Sequence, residues 1–461
     1  MSIIKDIKSG GVGDPDLTTR ENGVASAKSS EVRDIFPRTP VASFRREYSS
    51  QELQQRFPIE LVAALSGMAR AYVCRALEKP RCTEVTLQHV LFLLDLDAFA
   101  ETFVPRSKIC DYLLGPASEQ PDSLLPPIGL QSHESHKLIK GSAKDLIVLL
   151  PPQSVQCLVT STPYWGTRLY EDWSEVVWAD GEMCPFGHEQ TPEGFIRHTI
   201  ELLYLLKPAM TADGSLWWNL MDTYNTRTQI RSNAAETLRA MRGFDERGWK
   251  DYACRRYSAG HSYLEDGEQC LIPSRVAERA SRIGYWVKSI ITWKKTGSMP
   301  ETVGTRVTRE AEYIIHLAVQ RAPHFDKESY QPLPIALGGR NSEIEAEKLT
   351  DVWSMSTSNG LDGHGAQFPL SLPGRCIALS TREGDLVLDP FIGSGTTAVA
   401  AIRLQRRVIG FDISERYLQT ARQRVTKTSS QRQERLIYEE QEPYLDTDAR
   451  NGSSDTATEP T

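Results

Sequence analysis

Short apolar runs alternate with amphipathic segments from about residue 137 to residue 426. Apolar runs bounded by turn signals and rich in β-branched or aromatic residues predict buried strands. Apolar residues that recur at three- and four-residue spacing predict helices. The strand-like runs are QCLVTS, GSLWWNLM, SIITWKK, EYIIHLAV and LVLDPF, and the helical ones are TPEGFIRHTIELLYLLKPA, IPSRVAERASRI, LSLPGRCIALST, TTAVAAIRLQ and SERYLQTARQRV. This alternation predicts a doubly wound α/β fold with a mostly parallel sheet.

The regions that flank this α/β segment (residues 137–426) have a different composition. Residues 1–48 are rich in Gly, Ser, Thr and charge without periodicity, which predicts disorder. A capping box, SSQE, then begins a stretch of helical spacing, so residues 49–115 are predicted to form a small helical unit. Residues 116–136 are predicted to be a Pro- and Ser-rich linker, and residues 427–461 a disordered acidic tail.

Composition and charge limit the broad class of the protein. Of its 461 residues, 40% are hydrophobic and 25% are charged, which is typical of a globular protein. The apolar runs are too short to cross a bilayer and no signal peptide is recognisable, so we expect a cytoplasmic protein. Most of the net charge of −7 comes from the residues after 433, which include eight acidic residues and only two arginines. Because the rest of the chain is close to neutral, the net charge does not exclude nucleic acid as a partner.

The eight cysteines include no C-x-x-C pair and no cluster with histidine. We therefore expect no metal site and interpret the cysteines as small core residues or exposed thiols. None of them follows a proline.

The stretch GDLVLDPFIGSGTTAVAAIRLQRRVIGFDIS predicts a ligand site at the ends of two strands. Asp389 ends the first strand and Asp412 the second, and in nucleotide-binding sheets the second acid binds the two ribose hydroxyls. A dinucleotide fingerprint is absent, and Asp389 can instead bind an ammonium group. An adenosine with an amino-acid tail is S-adenosylmethionine, and the alternative is a glycine turn without a ligand. The other residues assigned to this site are Pro390, Phe391, Gly393, Ser394, Gly395 and Thr396.

The stretch CLVTSTPYWG places a second rigid turn at the end of a strand. The strand ends at Ser161, and Thr162, Pro163 and Tyr164 follow as candidate catalytic residues. Because ligands bind beyond the carboxyl ends of strands in doubly wound sheets, we expect both turns to open onto one crevice. For Tyr164 and Trp165, ordinary core packing is the alternative to a ligand-binding surface.

Taken together, the two turns resemble the motifs of a known family. DPFIGSGTT and TSTPYW resemble the cofactor and catalytic motifs of DNA amino-methyltransferases, which methylate an exocyclic amine of cytosine or adenine. The catalytic motif precedes the cofactor motif, as in the β class of that family, and the resemblance covers about residues 137–426. It implies a Rossmann-like methyltransferase fold, S-adenosyl-L-methionine as cofactor and double-stranded DNA as substrate. Phe368 and Pro369 match the Phe-Pro with which the family covers the methionine end of the cofactor.

The chemistry of amine methylation explains the residue types in TSTPYW. An exocyclic amine is a poor nucleophile because its lone pair is delocalised into the ring. Acceptors around its N–H bonds favour a pyramidal nitrogen and stabilise the developing positive charge. Ser161 Oγ is one such acceptor, and the resemblance implies the carbonyl group of Thr162 as another. The target base must leave the DNA helix to reach this site. Tyr164 is expected to stack on it, a contact that contributes about 1–3 kcal/mol in proteins that bind single-stranded nucleic acids.

The first residue of the motif bears on the identity of the target base. In the family, Ser at this position usually accompanies cytosine-N4 methylation, and Asp or Asn accompanies adenine-N6, so Ser161 favours cytosine-N4. Cytosine-C5 chemistry is excluded because no cysteine follows a proline. Thr162 departs from the family's usual proline, although Pro163 still restricts it to extended backbone. Adenine-N6 methylation, a catalytically silent DNA-binding homologue and an RNA substrate remain alternatives.

A basic insert, residues 225–263, is the candidate region for DNA recognition. It interleaves arginines with aromatic residues, and arginine contacts both phosphates and guanine. A solvated basic loop is the alternative. The predicted DNA contacts are Arg239, Arg242, Arg255 and Arg256, together with Arg306 and Arg309 from a stretch that matches a family motif. The resemblance suits a bacterial or phage modification system, in which a restriction endonuclease would be a partner.

Overall fold

The computed structural model describes most of the chain between residues 48 and 441. The described ranges are 48–66, 70–94, 109–110, 113–114, 126–167, 175–180, 182–226, 228–229, 255–256, 264–296, 304–356 and 368–441. Outside these ranges lie the predicted disordered N-terminus up to residue 47, residues 116–125 of the predicted linker, most of the basic insert and the tail beyond residue 441.

Strands and helices alternate along the described chain, as the hydrophobic pattern predicts. The strands are β1 Arg56–Pro58, β2 Glu84–Thr86, β3 His136–Lys140, β4 Val155–Ser161, β5 Val176–Val177, β6 Met183–Cys184, β7 Met210–Leu220, β8 Thr228–Gln229, β9 Arg255–Arg256, β10 Trp286–Thr296, β11 Ala311–Ala318, β12 Val352–Ser356, β13 Leu386–Asp389 and β14 Arg407–Asp412. The α-helices are α1 Ser50–Gln54, α2 Ile59–Ser66, α3 Arg70–Ala76, α4 Leu87–Leu94, α5 Ala143–Ile147, α6 Pro192–Leu206, α7 Ile272–Arg282, α8 Ser371–Ser380, α9 Thr396–Arg403 and α10 Glu415–Gln441. Two short 3-10 helices span Lys207–Ala209 and Ile335–Leu337.

Eight strands form the central sheet in the order β12-β10-β11-β7-β4-β13-β14-β3. Strand β11 is antiparallel to both of its neighbours, and every other pair in this sheet is parallel. The predicted mostly parallel, doubly wound sheet is therefore confirmed. The chain leaves β4 toward β7 and leaves β13 toward β14, so the strand order reverses between β4 and β13. Such a switch point opens a crevice at the carboxyl ends of the two strands.

The central strands are buried on both faces, which explains their continuous apolar runs. In β4, Leu158 belongs to the core on one face of the sheet, and Cys157 and Val159 belong to the core on the other. In β7, Trp218 and Trp217 are divided in the same way. Residues of α6 and α7 fill the first core, and residues of α8, α9 and α10 fill the second. The pleat thus directs alternate side chains to opposite layers of helices.

The N-terminal unit, residues 49–115, begins with the predicted capping box. The Ser49 hydroxyl accepts a hydrogen bond from the Glu52 N–H at 3.2 Å, and the Ser49 N–H donates to Glu52 Oε2 at 2.7 Å. The described part of the unit is not purely helical, because β1 and β2 pair in antiparallel fashion. Helix α2 packs against α6 and α7.

The last helix is longer than the sequence pattern indicates. Helix α10 continues to Gln441, so the prediction of a disordered tail from residue 427 is wrong for residues 427–441. No glycine or proline interrupts residues 415–441, and Pro443 is the first residue that cannot continue a helix. Leu418, Ala421 and Val425 are buried and anchor its first half. Among the described residues, no helix is both long and apolar enough to cross a membrane.

Candidate active site

A cavity lies at the switch point, beyond the carboxyl ends of β3, β4, β13 and β14. Residues of both sequence motifs line it, which confirms that the two turns open onto one crevice. The predicted site residues in its wall are Ser161, Pro163, Phe368, Pro390, Phe391, Gly393, Ser394, Thr396 and Asp412. Trp178, Phe186 and His188, which the sequence analysis did not single out, also line the cavity.

The glycine turn between β13 and α9 depends on backbone freedom. Gly393 has a φ of +51° and Gly395 a φ of +86°, both in the left-handed region that favours glycine. A Cβ at Gly395 would also lie 2.8 Å from the Cβ of Ala421. This close approach lets α9 pack on α10 while its first residue, Thr396, faces the cavity.

Asp389 lies beneath this turn and is buried, with 1% of its surface exposed. Its Oδ1 accepts hydrogen bonds from Thr160 Oγ1 at 2.7 Å and from the Phe391 N–H at 3.0 Å. Its Oδ2 accepts from Thr397 Oγ1 at 2.6 Å. Burial raises the pKa of Asp389 to about 6, although these hydrogen bonds act to lower it. Asp389 is not in the cavity wall, so its contact with an ammonium group stays a prediction.

Asp412 ends β14 and does line the cavity. Its Oδ2 accepts a hydrogen bond from the Gly393 N–H at 2.9 Å, and its Oδ1 accepts from the Ser414 N–H at 2.8 Å. The carboxylate therefore holds the glycine turn from the neighbouring strand. Its contact with ribose hydroxyls stays a prediction.

The catalytic turn has two residues that line the cavity and two that are buried. Ser161 and Pro163 line the cavity, and Tyr164 is half-buried. Thr162 is buried, and its Oγ1 has no hydrogen-bond partner among the described residues. Trp165 is also buried, and its Nε1 donates to the carbonyl oxygen of Glu189 at 2.8 Å. Core packing therefore accounts for Trp165.

Three polar residues that the sequence analysis did not identify surround this turn. Asn219 Nδ2 lies within hydrogen-bond distance of three acceptors, Ser161 Oγ at 3.2 Å, Tyr164 Oη at 2.8 Å and Glu312 Oε2 at 3.1 Å, which share its two N–H groups. Tyr164 Oη also donates to Glu312 Oε2, and Lys295 Nζ forms an ion pair with Glu312 Oε1 at 3.0 Å. These residues come from β7, β10 and β11. The only signal in the sequence is a polar residue inside an apolar strand run, as in WWNLM and AEYII.

The wall formed by Trp178 rests on a buried cluster of charges. The imidazole of His198 stacks on the Trp178 ring, with centroids 4.2 Å apart and planes inclined by 7°. His198 Nδ1 lies 3.0 Å from Glu189 Oε1, and Nε2 lies 3.3 Å from the carboxylate of Asp180. Burial acts to lower the pKa of His198, but the hydrogen bonds to the two carboxylates outweigh it and raise that pKa to about 9. His198 is therefore a cation at neutral pH.

The fold also brings together Glu182, Cys184 and His198, whose potential ligand atoms all lie within 4.8 Å of one another. His198 is separated from the other two residues along the chain, so the sequence shows no spacing typical of metal ligands for this cluster. A metal would need the neutral imidazole, whereas both nitrogens of His198 face carboxylates. The absence of a metal site stays a prediction.

The arginines predicted to contact DNA differ in their surroundings, and two of them lie outside the described residues. The guanidinium of Arg306 lies 4.0 Å from the centroid of the Tyr224 ring. That of Arg309 lies 5.1 Å from the same centroid, and its Nη1 donates to the Asp222 carbonyl oxygen at 2.9 Å. Arg255 and Arg256 form β9, whose backbone pairs with β8. Arg239 and Arg242 lie outside the described residues.

Comparison with known proteins gives a family for this chain. A family model described as DNA methylase, for N6- and N4-methyltransferases, matches residues 155–423. This match covers more than half of the chain and includes both motifs that line the cavity.

Individual relatives are type II methyltransferases. The chain is 27% identical to M.SmaI of Serratia marcescens over 300 residues, which cover 64% of this chain and 91% of the relative. It is 30% identical to M.Cfr9I of Citrobacter freundii over 289 residues, which cover 62% of this chain and 85% of the relative. The solved structure of the PvuII DNA methyltransferase (cytosine-N4-specific) aligns with a TM-score of 0.44 and 16% identity, over 65% of this chain and 92% of that one.

The hydrogen bond from Thr160 to Asp389 can be tested by Thr160→Val, which keeps the shape of the side chain and removes the donor. We expect the free energy of unfolding in urea to fall by about 1.5–3 kcal/mol, because a buried charged group loses a partner. Thr199→Val is the control, since that hydroxyl bonds only a carbonyl within its own helix at 2.8 Å. Equal losses in the two variants would contradict a special contribution from the bond to Asp389.

The charge of His198 predicts a pH-dependent stability. Because its pKa is raised from 6.5 to about 9 in the folded state, the stabilisation is complete below pH 6.5 and is lost as the pH rises through about 9. By linkage this amounts to about 3 kcal/mol. Unfolding in urea should show this loss for the wild type and not for His198→Gln. An identical pH dependence in the two proteins would show that His198 is not the group responsible.

Proposed function

Since this chain belongs to the DNA methylase family and is an S-adenosyl-L-methionine-dependent DNA methyltransferase of the N4/N6 type, we propose that its target is the exocyclic N4 of a flipped cytosine in duplex DNA. One observation supports the proposal above all: a single cavity is lined by Ser161 of the catalytic motif and by Gly393 and Asp412 of the cofactor motif. The reacting amine and the methyl donor must meet at such a place.

The cavity has the features that S-adenosyl-L-methionine requires. Trp178, Phe186 and Phe391 offer apolar rings, and Asp412 offers a carboxylate at the rim of the same cavity. Gly393 lines it without a side chain, and a Cβ there would meet nothing closer than 4.0 Å, so the turn leaves open space beside it. When bound, the cofactor supplies a methyl group that its sulfonium has already activated. We assign the ribose to Asp412 and the ammonium group to Asp389.

Further residues that we assign to the cofactor are Pro390, Ser394, Gly395 and Thr396, with Phe368 and Pro369 over its methionine end. Phe368 and Thr396 line the cavity, whereas Pro369 and Gly395 are not in its wall. Gly395 instead supports the turn through its left-handed backbone.

The residues of the catalytic turn bind and orient the amine in this proposal. Ser161 Oγ accepts one amine N–H, and the carbonyl oxygen of Thr162 accepts another. Pro163 keeps that carbonyl in extended backbone. The half-buried ring of Tyr164 stacks on the flipped base.

Ser161 supports cytosine-N4 as the target, and adenine-N6 is the second candidate. The two reactions share the same acceptors, so the choice of base rests on the resemblance at this one position. Because Thr162 replaces the family's usual proline, the alternative is a DNA-binding protein without catalytic activity. Its hydroxyl, buried without a partner among the described residues, shows that the substitution for proline is not compensated by a new hydrogen bond there.

We further propose that the enzyme is one half of a cytoplasmic restriction–modification pair. The two relatives compared above are type II methyltransferases, which supports a cognate endonuclease as partner. We assign six arginines to the DNA: Arg306 and Arg309, and Arg239, Arg242, Arg255 and Arg256 of the basic insert.

The product identifies the reaction. The protein is incubated with mixed-sequence duplex DNA and methyl-labelled cofactor, and the DNA is digested to nucleosides and analysed by mass. We expect labelled N4-methylcytosine. Labelled N6-methyladenine would contradict the choice of base, and cofactor binding without label in any nucleoside would support the silent DNA-binding protein. A parallel reaction with single-stranded RNA tests the alternative that RNA is the substrate.

The role of Ser161 is tested by Ser161→Ala. We expect the rate of methyl transfer to fall by about 10²–10³-fold, because one acceptor for the developing charge is lost. The dissociation constant of the cofactor should stay within a few-fold of the wild type. Ser135→Ala, at an exposed serine outside the cavity wall, is the control and should keep the wild-type rate. A fully active Ser161→Ala enzyme would exclude the proposed role of this hydroxyl.

A further inference from the structure

An exocyclic amine that receives a methyl group must give up a proton. The neutral hydroxyl of Ser161 cannot hold an extra proton, so it must pass one on to another group. We propose that Glu312 is the terminal acceptor of this proton, which reaches it through the hydroxyl groups of Ser161 and Tyr164. The inference rests on the proposed amine methylation, and it holds for cytosine and adenine alike. Because Glu312 acts through Tyr164, it is a positioning residue rather than one that contacts the base.

A continuous path of polar atoms joins the cavity to this carboxylate. Ser161 lines the cavity, and its Oγ lies 3.3 Å from Tyr164 Oη. Tyr164 Oη in turn donates a hydrogen bond to Glu312 Oε2. Glu312 is 7% exposed, so the path ends at a buried group rather than in solvent.

The partners of Glu312 set the direction of the hydrogen bonds along this path. Its ion pair with Lys295, at 3.0 Å, marks it as a carboxylate, which can only accept hydrogen bonds. Tyr164 must therefore donate its proton to Glu312, and its oxygen is left to accept from the Ser161 hydroxyl. Every proton on the path already points toward Glu312.

Asn219 fixes the orientation of all three groups. Its Nδ2 lies within 3.2 Å of Ser161 Oγ, Tyr164 Oη and Glu312 Oε2. The amide cannot be turned around, because its Oδ1 would then face the carboxylate oxygen. Ser161 thus uses its proton for Tyr164 and one lone pair for Asn219. Its second lone pair has no partner among the described residues and is available for the amine N–H.

The proposed step balances in atoms and charge. The amine nitrogen forms its bond to the methyl carbon while the carbon–sulfur bond of the donor breaks, and the electron pair of that bond stays on sulfur. The extra proton on nitrogen moves to Ser161 Oγ, the Ser161 proton moves to Tyr164 Oη, and the Tyr164 proton moves to Glu312 Oε2. The positive charge that began on the sulfonium thus ends as a proton on Glu312, which is returned to solvent before the next turnover.

A structural role for Glu312, in which it only anchors the Tyr164 ring, predicts a different outcome from a proton path. Tyr164→Phe keeps the ring that stacks on the base and removes only the hydroxyl. Glu312→Gln keeps the shape of the side chain and an oxygen that can accept from Asn219, but it removes the carboxylate that takes up the proton. An anchoring role would change the binding of DNA, whereas a proton path changes the chemical step and its dependence on pH.

The experiment measures the single-turnover rate of methyl transfer, with cofactor and duplex DNA bound at saturation, across a range of pH. For Glu312→Gln and Tyr164→Phe we expect the rate to fall by about 10²–10⁴-fold, the usual contribution of proton transfer. The dissociation constants of DNA and cofactor should stay within a few-fold, and the acidic side of the pH–rate profile should flatten. Glu345→Gln, which breaks the ion pair with Arg375 at 2.6 Å elsewhere in the fold, is the matched control and should keep the wild-type rate and profile.

The outcomes separate this inference from the proposed function. An active wild type with an equally active Glu312→Gln would overturn the proton path alone, as would a variant that loses only DNA affinity. A wild type that methylates no base would overturn the proposed function and the proton path with it. If Glu312→Gln fails to fold, Tyr164→Phe carries the test, and a wild-type rate and pH profile for that variant would overturn the path.

Discussion

A buried hydrogen bond between Thr160 and Asp389, 2.7 Å long, joins the ends of the two strands on which the site depends. Strands β4 and β13 are neighbours in the sheet but lie at opposite ends of the α/β segment in sequence. Their parallel pairing brings the catalytic turn and the cofactor turn to the same edge of the sheet. Because the strand order reverses here, no crossover helix covers that edge, and a cavity remains. The bond ties together the ends of the strands from which the two turns begin.

Buried polar groups around this edge are satisfied mainly by one another. Asn219, Glu312 and Lys295 each come from a different strand and each binds at least one of the others. A buried carboxylate is unfavourable without such partners, so removing Asn219 or Lys295 takes a stabilising contact from Glu312. Two atoms are exceptions: Thr162 Oγ1 and Asn219 Oδ1 are buried and have no partner among the described residues. The catalytic turn therefore combines a well-connected network with one uncompensated substitution.

Much of the fold followed from the hydrophobic pattern. Every strand that the pattern predicted is present, because strands buried on both faces produce unbroken apolar runs that are easy to recognise. Strands β3 and β12 were missed. They lie at the two edges of the sheet, where mixed sequences such as HKLIK and VWSMS carry no clear period. The pairing of β1 with β2 and the full length of α10 were missed as well, since short strands and exposed helix ends depend on their neighbours more than on their own residues.

The sequence by itself determined the two turns, because a glycine at positive φ and a proline after a strand act through local backbone geometry. It therefore identified Ser161, Gly393 and Asp412 before any contact was known. Only the tertiary structure decided which residues surround those turns. Asn219 of β7 and Glu312 of β11 reach the catalytic turn from distant parts of the chain, because neighbours in the sheet are not neighbours in the sequence. No spacing in the sequence therefore records that contact.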